Sequence, residues 1–268
     1  MSAFESLPRL ADQYRTVRPL DAGAAADRTL IKHIERQSAH VAHSFLAAES
    51  ISATDQLAMA TALTSASAAH VAPIEGVARD DSNRVVLITP YFGHSSGQVT
   101  LESLATSRGS RLSPEEVEAA ADHILHALDD MHGNRLYNGS VAPRQILVDR
   151  QGRVQIEHFG WARMVTKGVR DARVAGEEEI RAEVRSVMEL LFRCLTGLDS
   201  RTMGVSPGQV VSSLDPLLDD WISEGLREGA GFESAGAARA ALPEHQRRAA
   251  PPSNGVLRSI GRLLRLGP

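Results

Sequence analysis

The sequence changes from strand-like to helix-like patterns near residue 92, and this change constrains the fold more than any other feature. Residues 14–91 contain short apolar stretches bounded by turn signals, together with one helical stretch over 55–69 that is rich in Ala, Leu and Met. Long helical patterns dominate after about residue 100. We therefore predict an α+β, bilobal fold with a small β-rich N-terminal lobe and a larger α-helical C-terminal lobe.

Local signals place the individual elements. Ser113, Pro114 and Glu116 predict a helix start, because serine caps a helix, proline suits its first turn and the glutamate completes a capping box. Apolar residues then recur on one face as far as Gly133. The other predicted elements are strands over 14–20, 29–34, 41–47, 74–78, 84–91, 146–148 and 154–156, and helices over 177–196, 214–228 and 234–242.

The C-terminal residues differ from the rest of the chain. Residues 243–254 carry three prolines among polar residues, which predicts a flexible linker. Residues 255–268 predict a short basic amphipathic helix that contacts a membrane surface peripherally, packs on a protein partner, or folds back on its own domain. Its apolar face holds Val256, Leu257, Ile260, Leu263 and Leu264, while Arg258, Arg262 and Arg265 lie off that face.

Composition excludes several classes of protein. A net charge of −4 and a pI near 6.2 argue against a nucleic-acid binder that relies on positive charge. No apolar run approaches the ~20 residues that cross a bilayer, and the first residues lack the basic-then-apolar order of a signal peptide. The chain has a single cysteine, Cys194, which excludes an internal disulfide. We predict that this cysteine is a core residue. We expect a cytoplasmic protein, with any membrane contact confined to the C-terminal helix.

Residues 136–163, LYNGSVAPRQILVDRQGRVQIEHFGWAR, resemble the catalytic core of protein kinases. In active members this region carries a His-Arg-Asp loop, then Lys-Pro-x-Asn, a small hairpin and Asp-Phe-Gly. The framework is kept in order here, at Pro143, 146–148, Gly152, Phe159 and Gly160. The resemblance covers about residues 14–242 and implies a kinase fold with lobes at 14–91 and 92–242, preceded by an extension over 1–13.

Under this resemblance the catalytic residues of the C-terminal lobe are replaced. Ser140 stands at the catalytic base and Ala142 at the catalytic-loop lysine. Gln145 and His158 stand at the two metal-binding positions, where active kinases have asparagine and aspartate. Glu183 stands at the usual aspartate of the central helix, and the segment between Gly160 and Glu183 is short and lacks Ala-Pro-Glu.

The N-terminal lobe follows the same pattern of a kept frame and lost functional groups. Gly23 is the one glycine left where kinases have a glycine-rich loop. Ser44 stands at the phosphate-binding lysine, and Thr61 falls near the helical glutamate that would pair with that lysine. Thr89 takes the gatekeeper position, and Pro90 follows it at the hinge, where it removes one N–H group.

The resemblance therefore implies a pseudokinase without cofactor or metal site, which binds another protein such as a kinase or its substrate. The chain has only two lysines, so Lys32 is the alternative phosphate-binding lysine of this lobe. Glu157 is the obvious replacement carboxylate for catalysis, but strand alternation predicts that it points away from His158. A residual ATP-dependent transferase and a small-molecule sensor that uses the cleft under Thr89 remain the rival functions.

Two histidine pairs have spacings that could offer metal ligands. His40 and His43 are predicted on one strand, where residues three apart face opposite sides. His123 and His126 are ordinary positions on a long helix. Neither pair predicts a metal site.

Overall fold

The computed structural model of this protein describes residues 6–21, 26–45, 52–66, 68–82, 84–93, 97–200 and 204–245. Within these ranges the chain forms two lobes. The N-terminal lobe is built on a five-stranded antiparallel sheet, and the C-terminal lobe on helices with a small three-stranded sheet. This is the α+β, bilobal architecture that the sequence predicted.

The N-terminal sheet brings its second and third strands side by side. Its strands are β1 (Tyr14–Pro19), β2 (Ala26–His33), β3 (Ala39–Phe45), β4 (Gly76–Arg79) and β5 (Val85–Pro90), in the spatial order β1-β2-β3-β5-β4. Arg28 on β2 pairs with His43 on β3, and Val41 on β3 pairs with Thr89 on β5. The register therefore sets a cation, an imidazole and a hydroxyl on neighbouring strands.

Alternation along these strands gives the sheet two different faces. One face carries a small apolar cluster of its own, which consists of Ile31, Ala42, Ala78, Val86 and Ile88. The other face carries Arg28, His43 and Phe45 and packs toward the C-terminal lobe, where His43 and Phe45 contact His158. Functional groups of the N-terminal lobe therefore lie on this second face.

Two helices accompany the sheet. A single turn, α1 (Leu10–Gln13), precedes β1, and α2 (Ala53–Ser65) packs on β5 through Met59, Ala60 and Leu63. Ser52 caps α2 by accepting a hydrogen bond from the N–H of Asp55. The helix ends four residues before its predicted end, because Ala66 adopts an extended conformation.

The C-terminal lobe is organised around two long helices. Its elements are β6 (Val99–Thr100), α3 (Leu101–Ser107), α4 (Pro114–Gly133), β7 (Ile146–Val148), β8 (Val154–Ile156), α5 (Trp161–Lys167), α6 (Glu177–Thr196), α7 (Pro207–Val210), α8 (Pro216–Leu226) and α9 (Ala235–Ala240), with 3₁₀ turns at Pro143–Gln145 and Asp171–Arg173. Helix α4 begins as predicted, since the Ser113 hydroxyl accepts from the N–H of Glu116 and the Glu116 carboxylate accepts from the N–H of Ser113. Its predicted apolar face is fully buried and consists of Val117, Ala121, Ile124, Leu128 and Met131.

The end of the described chain packs on the C-terminal lobe. Residues 243–245 form a helical turn, and Nε2 of His245 lies 2.7 Å from Oδ1 of Asp122 on α4. The first three residues of the predicted linker are therefore docked on α4, a tertiary contact that composition does not reveal. The rest of the linker and the predicted helix over 255–268 lie outside the described residues. Within the described ranges no helix is both long and apolar enough to cross a membrane.

Candidate functional site

A buried polar cluster lies where the two lobes meet. It consists of Arg28, His43 and Thr89 from the sheet, and of Glu157 and His158 from the segment after β8. Nη1 of Arg28 lies 3.4 Å from Oε2 of Glu157, and Nδ1 of His43 lies 3.8 Å from Oε1 of the same carboxylate. Nε2 of His43 and the Thr89 hydroxyl are 2.8 Å apart. The cluster therefore places charged and titratable groups around His158, the residue at which the resemblance to kinases implies a metal-binding position.

The backbone at His158 explains how two adjacent side chains reach the same cluster. His158 has a φ of +51°, in the left-handed region that non-glycine residues seldom adopt. This turn ends the extended conformation after β8, and Nδ1 of His158 comes to 3.7 Å from Oε2 of Glu157. The expectation that Glu157 points away from His158 was wrong, because side-chain alternation holds only while the backbone stays extended.

Burial controls the charges in this cluster. It raises the pKa of Glu157 to about 7, although the Arg28 guanidinium opposes the shift. Burial, followed by the charge of Arg28, lowers the pKa of His158 to about 3. Burial also lowers the pKa of His43 well below its usual value, with His158 and Arg28 adding to the effect. At neutral pH both imidazoles are therefore uncharged, and the cluster holds the Arg28 cation beside a carboxyl group that is easily protonated.

Ser44 and Lys32, the two candidates for the phosphate-binding lysine position, lie away from this cluster, and so does Thr61, which was expected near the helical glutamate. Ser44 belongs by alternation to the sheet face of Ala42, so that His43 is the β3 side chain that meets His158. Thr61 is exposed on α2, and its hydroxyl donates to the carbonyl oxygen of Leu57. Lys32 pairs with Ala39, four residues along β3 from His43, or about 13 Å at the usual strand rise.

The loop at Ser140 is held in place by a carboxylate from the central helix. Oε1 of Glu183 accepts a hydrogen bond from the N–H of Asn138 at 2.9 Å, and Oε2 accepts from the N–H of Gly139 at 3.1 Å. Glu183 is almost fully buried, so these bonds fix the backbone of the loop firmly. Glu183, which the resemblance places at the usual aspartate of the central helix, therefore anchors this loop through its carboxylate.

An amide pair occupies the neighbourhood of the second metal position. Nε2 of Gln145 donates to Oδ1 of Asn138 at 3.0 Å, and Nδ2 of Asn138 approaches Oε1 of Gln145 at 3.3 Å. The same Asn138 oxygen accepts from the N–H of Gly160 at 2.8 Å. Asn138, which no sequence signal singled out, thus ties the loop to the Phe159-Gly160 segment.

These donors do not fit the Mg²⁺–nucleotide group that active kinases use. Mg²⁺ prefers octahedral oxygen ligands from one or two carboxylates, phosphates and water. Here Gln145 is engaged with Asn138, and His158 offers ring nitrogen. Ser140 is exposed and Ala142 carries no polar side-chain atom. Within the described residues, Glu157 is the carboxylate of this cluster, and Arg28 already lies against it.

Two cavities flank the cluster. A polar cavity of about 360 Å³ opens on one side, with Arg18, Asp21, Arg28, Gln98, Glu102 and Arg144 among its lining residues. A smaller one of about 130 Å³ lies behind Thr89, between α2 and Phe159.

Pro90 is half-buried and pairs with His40 near the start of β3. Gly23 lies outside the described residues, so its predicted position on the cleft is not described.

The segment after Gly160 folds back as helix α5. The Trp161 ring stacks on Phe45 of β3 with centroids 3.6 Å apart and planes 18° from parallel. Arg163 is buried, donates to the carbonyl oxygens of Ala172 and Val174, and bonds Glu179 on α6. These contacts join the segment to both lobes. The sequence did not predict this helix, since Gly160 before it supplies no side-chain cap.

The remaining histidines and the cysteine have structural contacts. His40 binds the Ser38 hydroxyl at 2.7 Å, on the sheet face opposite to His43. The His70 ring stacks on His123 at 4.1 Å, and Nδ1 of His123 accepts from the N–H of Val154. Cys194 is buried, and burial raises the pKa of its thiol to about 11, so that it is not a nucleophile at neutral pH.

Comparison with known proteins establishes the fold. No protein-family model matches the sequence, and no curated protein matches it either. Among solved structures, the kinase domain of PknI from Mycobacterium tuberculosis matches with a TM-score of 0.64 and 17% identity, over 93% of this chain and 99% of that chain. A second structure of that domain matches with a TM-score of 0.62 and 19% identity, over 88% and 96%, and a double mutant with 0.65 and 18%, over 89% and 96%. The chain therefore has the protein-kinase-like fold.

Proposed function

We propose that this chain is a catalytically inactive protein-kinase-like domain that acts as a protein-interaction or regulatory scaffold. The observation that carries this proposal is the buried contact of Arg28 with Glu157 beside the two uncharged imidazoles of His43 and His158. Phosphoryl transfer in this fold relies on a lysine at the phosphates, metal ions held by oxygen ligands and a catalytic aspartate. The resemblance to kinases places Ser140, Gln145 and His158 where active members have the catalytic aspartate and the metal ligands, which supports the proposal.

The contact between Arg28 and Glu157 also opposes nucleotide binding. Both side chains are almost completely buried, at 2% and 0% exposure, so removing the guanidinium would leave a buried carboxyl without its cation. Breaking a buried charge pair typically costs about 3–5 kcal/mol. A nucleotide that recruited Arg28 to its phosphates would have to offset that cost. We therefore expect weak or absent ATP binding.

The rest of the site supports a scaffold, because its framework is intact. Glu183 still holds the loop backbone, and Asn138 still connects that loop to Gly160. These contacts maintain the kinase-like shape without reactive groups. We infer that the partner is a protein, either a kinase or a kinase substrate, and that the amphipathic helix over 255–268 tethers the domain to it or to a membrane surface.

The alternative is an atypical or residual ATP-dependent transferase. The likeness of the fold to kinase domains favours this alternative. Glu157 is its best candidate for a catalytic carboxylate, since it reaches the same cluster as His158. The two functions make opposite predictions for metal-dependent nucleotide binding.

The first experiment is a thermal-shift titration of the full chain with ATP, in the presence and absence of Mg²⁺ and Mn²⁺, alongside a phosphate-transfer assay. Ligand that binds only the native state raises the melting temperature by mass action. We expect no shift at millimolar ATP and no transfer with any of the metals. A metal-dependent shift accompanied by transfer would refute the scaffold proposal and support the transferase.

A further inference from the structure

We propose that His43, Glu157 and His158 form a binding site for one Zn²⁺ ion that joins the two lobes. His43 comes from β3 of the N-terminal lobe, and the other two residues follow β8 of the C-terminal lobe. This site goes beyond the scaffold function and does not depend on it. It also differs in its donors from the Mg²⁺ site of active kinases.

The distances between the candidate ligand atoms suit one metal ion. One ligand atom from each of the three residues lies within 4.8 Å of the others. Nδ1 of His43 and Nδ1 of His158 lie 3.8 Å and 3.7 Å from the two oxygens of Glu157. Zinc bonds of about 2.0–2.1 Å in a tetrahedron separate ligand atoms by about 3.4 Å. Each imidazole therefore lies a few tenths of an ångström too far from its nearer Glu157 oxygen, and the other distances between ligand atoms, all within 4.8 Å, must shorten by at most about 1.4 Å around an ion.

Most of these ligand atoms lack hydrogen-bond partners although they are buried. Both carboxylate oxygens of Glu157 and Nδ1 of His43 have no hydrogen-bond partner, and neither does Nε2, the other ring nitrogen of His158. Buried polar groups without partners are uncommon, because each costs free energy unless something satisfies it. The unpartnered atoms of Glu157 and His43 face each other, and Nδ1 of His158 lies beside them, which favours a ligand that binds all three side chains at once.

A second contact prepares His43 as a ligand. Its Nε2 lies 2.8 Å from the Thr89 hydroxyl, which can accept the ring N–H and leave the Nδ1 lone pair directed at Glu157. Such outer contacts fix the tautomer and orientation of metal-binding histidines. Thr89 therefore acts as a positioning residue for the proposed site.

The donor set identifies the metal. Two imidazole nitrogens and one carboxylate oxygen form a set that binds Zn²⁺, with the fourth position open to water. Mg²⁺ and Ca²⁺ require more oxygen ligands than the cluster offers. Other first-row ions share this preference for nitrogen, so that Co²⁺ serves as a spectroscopic substitute.

Arg28 is the group that competes with the ion. Its guanidinium lies 3.4 Å from the Glu157 carboxylate and 3.2 Å from the side-chain oxygen of Gln98. A divalent cation at the cluster would be repelled by that charge and would share its carboxylate. Removing the charge should therefore strengthen metal binding, which is the reverse of what removal of a ligand does.

The test uses the full chain, stripped of metal by a chelator and titrated with Zn²⁺ by calorimetry, with metal content measured after gel filtration. We expect one Zn²⁺ per chain and a rise in melting temperature. Glu157→Gln keeps the side-chain shape and should weaken binding by at least about tenfold. Arg28→Met should tighten binding by about tenfold or more.

The control is His126→Gln, which alters the separate histidine group of His70, His123 and His126. It should bind Zn²⁺ as the unaltered chain does. The proposal is overturned by absent binding at micromolar Zn²⁺, by unchanged affinity in Glu157→Gln, or by loss of binding in the control. If Glu157→Gln or Arg28→Met does not fold, the visible spectrum of the Co²⁺ form of the unaltered chain decides, and an octahedral spectrum overturns the site.

Discussion

His43 on β3 meets His158 edge to face, with ring centroids 4.3 Å apart and planes at 82°. One residue belongs to the N-terminal sheet, and the other stands where the resemblance to kinases places a metal-binding aspartate. Burial keeps both rings uncharged, so the lobes meet here through neutral aromatic and apolar contact together with the Arg28–Glu157 pair.

The pKa of His158 predicts how folding stability changes with pH. Burial and Arg28 lower the pKa of His158 to about 3 in the folded chain, whereas an unfolded histidine titrates near 6.5. Between these values the unfolded state binds the extra proton, so the contribution of His158 to stability falls as the pH decreases from about 6.5. Replacing His158 should therefore reduce the slope of the unfolding free energy against pH by about 1.4 kcal/mol per pH unit between these values.

The measurement compares urea unfolding of the unaltered chain and His158→Asn at about pH 6 and about pH 5, with a chelator present. Asparagine suits the left-handed backbone at this position. Glu157 has a raised pKa, so its own contribution to folding stability falls as the pH rises from about 4.5 to 7. This contribution is present in both proteins and cancels in the comparison. Equal pH slopes for the two chains would contradict the lowered pKa of His158.

Glu183→Gln should destabilise the fold by about 1–3 kcal/mol, because an amide replaces one of the two oxygens that accept the N–H groups of Asn138 and Gly139. Urea unfolding measures the change. The exposed Glu178 at the start of the same helix provides the control, and Glu178→Gln should stay within about 0.5 kcal/mol of the original. Comparable losses for both variants would mean that helix charge, and not the loop anchor, is responsible.

Trp161→Ala should cost about 3–5 kcal/mol, since the ring is 2% exposed and lies flat on Phe45. Phe45→Leu is a smaller change that removes the ring stacking. A double-mutant cycle with both substitutions should give a coupling of about 0.5–1.5 kcal/mol. Additive effects would show that the two rings do not stabilise each other.

The tail should bind acidic membrane surfaces weakly. Removing residues 246–268 should abolish sedimentation with vesicles that contain anionic lipid and leave the melting temperature unchanged, because the helical residues 243–245 and the contact of His245 with Asp122 are kept. Replacing Arg258, Arg262 and Arg265 by glutamine should reduce binding in low salt. Binding of the truncated chain at the original level would contradict the proposed membrane tether. A protein partner would then be the remaining candidate to bind the predicted helix over 255–268.

The elements predicted best were those whose signals are local. Helix α4 begins at the predicted capping box, and α6 and the hairpin of β7 and β8 have the predicted bounds. Their caps, turn residues and apolar periodicity lie within a few residues of one another, so one sequence suffices to find them. Helix α5 was missed, because its stability comes from the packing of Trp161 on Phe45 and of Arg163 on Ala172.

The sequence by itself determined the two-lobed α+β architecture, and its resemblance to kinases predicts that the catalytic motifs are replaced at Ser140, Ala142, Gln145 and His158. Only the tertiary structure decided that His43, in place of Ser44, faces His158, and that Arg28 and Glu157 meet although they are far apart in the chain. Strand register sets which residue of a pair points inward, and a shift of one residue reverses the choice. The left-handed turn at His158 then directs Glu157 into the cluster, and no local pattern reports the burial that sets the charges there.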